Sequence, residues 1–513
     1  IDTDGAPRYL ATHFVQGFRH NQFRSGVEVT TWNGVPIARA VTVSADLHAG
    51  SNEDARHVRG LDGLTIRGLT RAMPPDAMWV DIGYTDLDGV ERETRQEWIV
   101  SPALPADTGV DPNVAGLNAA SHGLDIEADA VQRAKMMLFA PKAVEAASKP
   151  TKITVKKAAK GADVPTLMSG VFRARSVTTP SGEFGYIRIF TFNVDNPDTF
   201  IEEFIRLAAL LPQTGLIVDV RGNGGGHIFA SEGLLQTLTP GEITPEPTQF
   251  ISTALNTEIC ARHEGNPVGI ELGPWLASLR EAVQTGAIYS RGFSITPQAF
   301  ANDRGQHYHG PTVLITDARC YSATDIFAAG FQDHAIGHIL GVDGNTGAGG
   351  ANVWTHSLLK LLMELPAPPD PETQFEDLPN GADMRVAIRR TLRVGPQAGT
   401  PLEDLGVKPD SLHALTRDDL LNGNVDLINR AGEILSGMDV YGLEADVAPT
   451  ADGHSLSTTT LGLDRLDLYV DDRPAGSHNV GDGAHVFALA SGGVLRVEGF
   501  SGGALSASRR IAL

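Results

Sequence analysis

Between residues 185 and 345 short apolar runs alternate with helical patterns, and that alternation restricts the chain to a parallel sheet with crossover helices. Gly185-Tyr186-Ile187-Arg188-Ile189 reads as a strand. Asn196 is a good N-cap with Pro197 at the first helical position. Phe200, Ile201, Phe204, Ile205, Ala208 and Leu211 then recur at helical spacing. Leu216-Ile217-Val218-Asp219-Val220 and Thr312-Val313-Leu314-Ile315-Thr316 are short apolar runs typical of buried parallel strands. A helix is expected from about residue 323.

The flanks read differently. Residues 8–32 read mostly as strands, ending in the tight-turn pair Asn33-Gly34. Residues 37–42 lack clean alternation and are expected to form a short helix. Val80–Tyr84 and Glu97–Val100 restore strand character, with Asp88-Gly89 as the hairpin turn between them. Residues 103–126 are rich in Pro, Gly, Asn and Asp, which marks a linker, and 127–147 form a helix broken at Pro141. Residues 366–381 are a long loop and 415–436 look helical. From 440 to 513 short strands separated by Gly and Asp turns read as a small all-β sandwich. The expected division is 1–102 β-rich, 103–164 linker and helix, 165–436 α/β core and 437–513 β.

A chain of 513 residues is too long for one core, so about three or four domains are expected. The net charge of −21 repels phosphate backbones, which argues against a nucleic-acid partner. Lys149, Lys152, Lys156, Lys157 and Lys160 are a local exception that reads as a solvated linker or strand edge. No apolar run reaches the ~18–20 residues a spanning helix needs. The first residue is Ile1 rather than Met, so an upstream piece is expected to have been removed; the compartment stays open, an exported location being favoured. Two cysteines, Cys260 and Cys320, make no disulfide framework. No metal pattern is complete, and neither a metal nor a cofactor is expected.

Three segments carry chemistry. Asp219-Val220-Arg221-Gly222-Asn223-Gly224-Gly225-Gly226 puts a glycine cluster at the carboxyl end of a buried strand, where backbone N–H groups can hold an anion or an oxyanion. It lacks the spacing of a dinucleotide or phosphate loop, and alone it could be a tight turn. Cys320-Tyr321-Ser322-Ala323-Thr324-Asp325 places a serine between a buried strand and a helix, where the helix dipole favours negative charge; alone, Ser322 or Thr324 could merely cap the helix. Gly399–Asp410 carries acids that could be solvated turn residues.

In this order, the three segments resemble the C-terminal processing (tail-specific) protease family. "VDVRGNGGG" resembles its glycine signature, "CYSATDIFAAGFQDH" its nucleophile segment, with Gln332-Asp333 at the family's spacing, and "EDLGVKPD" its closing motif. The N-terminal part, with "VEVTTWNGVPI", resembles the family's PDZ-type module carrying an insertion at about 45–72. The resemblance covers roughly residues 8–435. It implies an α/β multidomain serine endopeptidase with Ser322 as nucleophile, and Ala323, Gly224 and Gly225 as oxyanion donors. Protein or peptide is the implied substrate; an N-terminal fragment of the same precursor and a second copy of the chain are further expected partners.

Many members use a Ser–Lys dyad, but Ala348 stands where that lysine would be, and an alanine accepts no proton. The chain is more similar to the Ser–His–Glu branch that includes tricorn protease. Glu403 then matches the acid, and the histidine is expected upstream of Ile1. None of His13, His20, His48, His57, His227, His334, His338 or His356 falls in the family motif; His227, after the glycine loop, is the weaker candidate within the chain. The competing readings are an inactive peptide-binding protein and a carrier of hydrophobic ligands.

Overall fold

A computed structural model describes residues 7–15, 17–69, 72–100, 134, 163–265, 271–350, 353–367, 375–382, 384–451 and 453–513. The expected linker at 103–126, nearly all of the expected helix at 127–147 and the lysine cluster lie outside the described residues.

The fold is mixed α/β around a seven-stranded sheet. In spatial order its strands are Ser411–Leu412, His338–Gly341, Thr312–Thr316, Leu216–Asp219, Gly182–Ile189, Phe172–Thr179 and Asp163–Val164. The first five run parallel, and the last two add an antiparallel edge. The pleat explains why the central runs are apolar throughout. Leu216, Val218, Ile187, Ile189, Leu314 and Ile339 point to one face, which helices Pro197–Ala209, Ile228–Leu235 and Ala323–Asp333 cover. Ile217, Tyr186, Val313, Ile315 and Leu340 point to the other, covered by helix Val425–Ser436. A strand buried on both faces has no polar side to alternate with.

Helix Pro197–Ala209 begins as its sequence requires: the Asn196 side chain accepts from the N–H groups of Asp198 at 2.8 Å and Thr199 at 3.1 Å. It buries Phe200, Ile201, Phe204 and Leu207, each worth about 1.5–3 kcal/mol on removal from water.

The N-terminal unit is a four-stranded antiparallel sheet with two helices, Ile37–Ala45 and Glu53–Thr65. Two expectations are corrected here. Within 8–32 only Glu28–Trp32 is a strand, and the earlier part contributes a single bridge from Leu10 to Glu28. The partner of strand Trp79–Thr85 is Glu91–Glu97 rather than 97–100, because the turn at Asp86–Val90 pairs Thr85 with Glu91. The span set aside as an insertion, 45–72, supplies the second helix.

From Gly442 to Ala512 the chain forms a three-stranded and a four-stranded antiparallel sheet. Leu443, Leu456, Leu466, Leu468, Leu495 and Val497 form their shared core. This module rests on the α/β core through His309 Nε2 at 3.1 Å from the Ser508 carbonyl and Ser508 N–H at 2.9 Å from Gln306 Oε1.

Candidate active site

Strands Leu216–Asp219 and Thr312–Thr316 are parallel neighbours, so the loops leaving their carboxyl ends lie side by side. The second loop leads to Ser322, the residue before helix Ala323–Asp333. Ser322 has φ 59° and ψ −124°, a conformation that costs an L-residue about 1–3 kcal/mol. Its surroundings impose it. The Ser322 N–H donates to Asp325 Oδ2 at 2.9 Å, and Tyr321 N–H donates to the Asn223 carbonyl at 3.1 Å. Asp317 Oδ1 accepts from the N–H groups of Gly222 at 2.9 Å and Arg319 at 3.0 Å. Ser322 is 2% exposed, and its Oγ has no hydrogen-bond partner among the described residues. Ser322 and Asp325 stand in a capping-box arrangement, closed by the bond from the Ser322 N–H to Asp325, while the Ser322 side chain makes no cap hydrogen bond.

The glycine loop presses on this turn. A β-carbon at Gly225, φ 100°, would sit 2.7 Å from both Ser322 Cβ and the Tyr321 carbonyl oxygen and 3.0 Å from Ala323 N. Only glycine allows that approach. The Gly225 N–H is already engaged, donating to Asn223 Oδ1 at 2.9 Å. Beneath the loop, Asp219 accepts from Tyr186 Oη at 2.8 Å, from Arg221 through Nη2 at 2.7 Å, and from Arg188. Burial alone would raise the Asp219 carboxyl, but Arg188 and Arg221 outweigh it and hold it well below the usual range.

Asp325, one turn into the helix, joins the serine turn to the next loop. Besides Ser322 N–H it accepts from Gly349 N–H at 3.0 Å and Ala348 N–H at 3.3 Å. Burial pushes it up to about 6, while hydrogen bonds from Thr346 and those backbone groups pull it back. The 345–350 loop in turn meets the 403–407 segment: Val407 N–H donates to Thr346 Oγ1 at 2.8 Å and Asp404 N–H to the Ala348 carbonyl at 3.3 Å. Glu403 Oε2 accepts from Thr391 N–H at 2.8 Å, and Oε1 has no partner among the described residues. Burial pushes Glu403 up to about 8. The Gln332-Asp333 pair locks this segment to the helix: Gln332 donates to Asp410 Oδ1 at 3.0 Å, and Asp333 accepts from Arg393 at 2.6 Å.

The N-terminal helical pair closes one side. Arg319 Nε donates to Asp62 Oδ2 at 3.0 Å, Asn52 donates to the Thr346 carbonyl at 2.9 Å, and the Arg59 guanidinium lies 4.3 Å from the Tyr321 ring centroid. Between the pair and the core runs a cleft of about 760 Å³, whose walls include His48, Tyr321, Ala348, Gly349 and Glu403. His48 follows the first helix, and a β-carbon at Gly63 would lie 2.2 Å from its Nε2. The ring therefore rests against the second helix. His227, by contrast, caps helix Ile228–Leu235 and does not line this cleft.

The structure thus brings Ser322, Ala323, Gly224, Gly225 and Glu403 into one connected set of loops. His48 is the wall residue that sequence reasoning passed over. Its only local signal is position, in the short Leu47-His48-Ala49-Gly50 stretch where the first helix ends.

The arrangement defines a class, a serine-type peptidase built on an α/β sheet. Residues 183–411 match the model of peptidase family S41, which agrees with a serine-type peptidase, a hydrolase. No curated protein matches it in sequence. Among solved structures, mature CPAF complexed with lactacystin is 15% identical, with 84% of each chain covered and a TM-score of 0.53. Mature CPAF is 16% identical, covering 84% of this chain and 82% of the other, also at 0.53. The photosystem II D1 C-terminal processing protease is 14% identical over 76% of this chain and 63% of the other, at 0.29. At these identities the two CPAF structures speak to the shared fold.

Proposed function

We propose that the chain is an endopeptidase that cleaves protein or peptide substrates by acyl transfer, with Ser322 as nucleophile, His48 as general base and Glu403 as the acid that orients the imidazole. The observation that carries the reading is the strained, buried turn at Ser322, whose Oγ is left without a partner beside a glycine loop.

In the first step Ser322 Oγ bonds to the scissile carbonyl carbon and its proton passes to His48. The oxyanion takes N–H bonds from Ala323 and Gly224, since Gly225 already donates to Asn223. Collapse breaks the C–N bond, the imidazolium protonates the leaving amine, and water releases the acyl group by the same route. His48 in the cleft wall supports a base within this chain, in preference to one upstream of Ile1. With the ring against Gly63 and Ser322 Oγ unbonded, the catalytic hydrogen bonds form only when the ring swings inward, as is common on substrate binding.

A fluorophosphonate probe tests the nucleophile: labelling is expected at Ser322, and Ser322→Ala should abolish both labelling and peptide cleavage. An unlabelled native protein would instead favour the inactive peptide-binding reading, which the same unassembled state of Ser322 and Glu403 also fits. His48→Ala should lower kcat by about 10²–10⁴-fold. Undiminished cleavage by that variant would return the base to a histidine outside this sequence.

A further inference from the structure

We propose that the cleft beside Ser322 selects peptides by an internal acidic side chain, gripped by Arg385, Arg389 and Arg390. This rests on the peptidase reading of the cleft and adds a substrate class to it.

The chain carries 62 acidic against 41 basic residues, yet the walls of this cleft reverse the balance. Arg59, Arg385, Arg389 and Arg390 line it, and among the described residues of its walls the carboxyl groups are Glu403 and Asp404. Burial pushes Glu403 up to about 8, so its charge against them is weakened while no imidazolium stands beside it. A peptide approaching this acidic protein meets a cationic wall at the candidate active site.

The arginines are also held in place. Arg389 is 3% exposed, with its guanidinium 5.3 Å from the Trp354 ring centroid and 5.8 Å from that of Phe250. Burial pulls it down to about 10, the desolvation outweighing the attraction of Glu403. Arg390 is fixed over Tyr289 at 3.6 Å and donates to Gln249 Oε1 at 2.9 Å. Arg385 and Arg389 lie four positions apart in an extended stretch that contains strands Arg385–Ala387 and Arg389–Thr391. The two strands belong to different sheets, and the bend between them leaves Arg385, Arg389 and Arg390 all lining the cleft. Stacking uses the flat face of a guanidinium, and its edge is what reads a carboxylate in bidentate fashion. Such pre-positioned cations favour an anionic side chain over its neutral isostere.

The test uses C-terminally amidated peptide pairs that differ only by Glu against Gln, or Asp against Asn, within the sequence. A third member carries the Gln version with a free terminal carboxylate. For the native protein the internal acid should raise kcat/KM by about 10-fold, with the gain shrinking between about 0.1 M and 1 M salt. Arg385→Gln and Arg390→Gln should each bring the acid-to-amide ratio towards one. Cleavage of both amidated peptides at equal rates would overturn the inference and leave the peptidase reading intact. A gain seen only with the free terminus would also overturn it, in favour of tail recognition. The same ratios measured as binding to Ser322→Ala by fluorescence anisotropy keep the test independent of turnover. Should the native protein cleave nothing, the peptidase reading falls while these binding ratios still decide for or against acid selection.

Discussion

Two carboxylates, the buried Asp219 and the half-buried Glu403, stand at opposite ends of one chain of loops and could hardly be treated more differently. Asp219 is 0% exposed and accepts from Tyr186, Arg188 and Arg221, so its charge is fully met and held well below the usual range. Glu403 is half-buried, and one oxygen takes a single backbone N–H while the other takes nothing from the described residues. Burial then pushes it up to about 8. A satisfied acid is an anchor: it fixes the glycine loop that presses on Ser322. An acid left short of partners at a cleft wall is suited to receive one, in the proposed mechanism the imidazole of His48. Ser322 falls on the second side of that division, strained and with an unbonded Oγ.

The largest effect that could break the comparison is at the serine. Ser322→Ala should lower kcat by at least about 10³-fold, while the thermal midpoint stays unchanged or rises, since only an unbonded hydroxyl is lost. A comparable fall in stability would mean that the hydroxyl is structural after all. Next is Glu403→Gln, which keeps the bond from Thr391 N–H but cannot balance an imidazolium. It should cost about 10²–10⁴-fold in kcat with little change in KM. If kcat held steady, Glu403 would belong with the anchors.

Asp219→Ala should invert the pattern. Arg188 and Arg221 would be left as buried cations, and stability to denaturant should fall by about 3–5 kcal/mol. Loss of activity without loss of stability at that position would erase the distinction between anchor and reactant.

How legible this was in the sequence follows the same physics. The strands at 216–219 and 312–316 were readable because burial on both faces leaves uninterrupted apolar runs. The strand at 91–97, Glu-Arg-Glu-Thr-Arg-Gln-Glu, was misplaced because it is polar on nearly every position and is held by its register to Trp79–Thr85. At the site, Ser322, the glycine loop and Glu403 were visible as ordered motifs on the main sheet. His48 was not, since what brings it to the cleft is tertiary. Helix Glu53–Thr65 docks through Arg319 to Asp62, and the ring packs on Gly63. No periodicity reports an ion pair between residues so far apart. Nor could composition reveal that the Gly225 N–H is engaged by Asn223 Oδ1.

The smallest effect sharpens the comparison through pH. Glu403 ordinarily titrates near 4.5 and is raised to about 8 in the folded chain. The folded state therefore keeps a proton that the unfolded chain gives up between those values. The stability this contributes is fully present below about 4.5 and is lost as pH rises towards 8, at no more than about 1.4 kcal/mol per pH unit. Glu403→Gln removes that slope, so denaturation of the variant should depend less on pH across the window and should be the more stable protein at its upper end. Asp219→Ala has no such signature there, because a carboxyl held below the usual range is already ionised in both states throughout it. Parallel slopes for native protein and Glu403→Gln would show that Glu403 ionises as freely as a solvated glutamate, and the contrast between the two acids would dissolve.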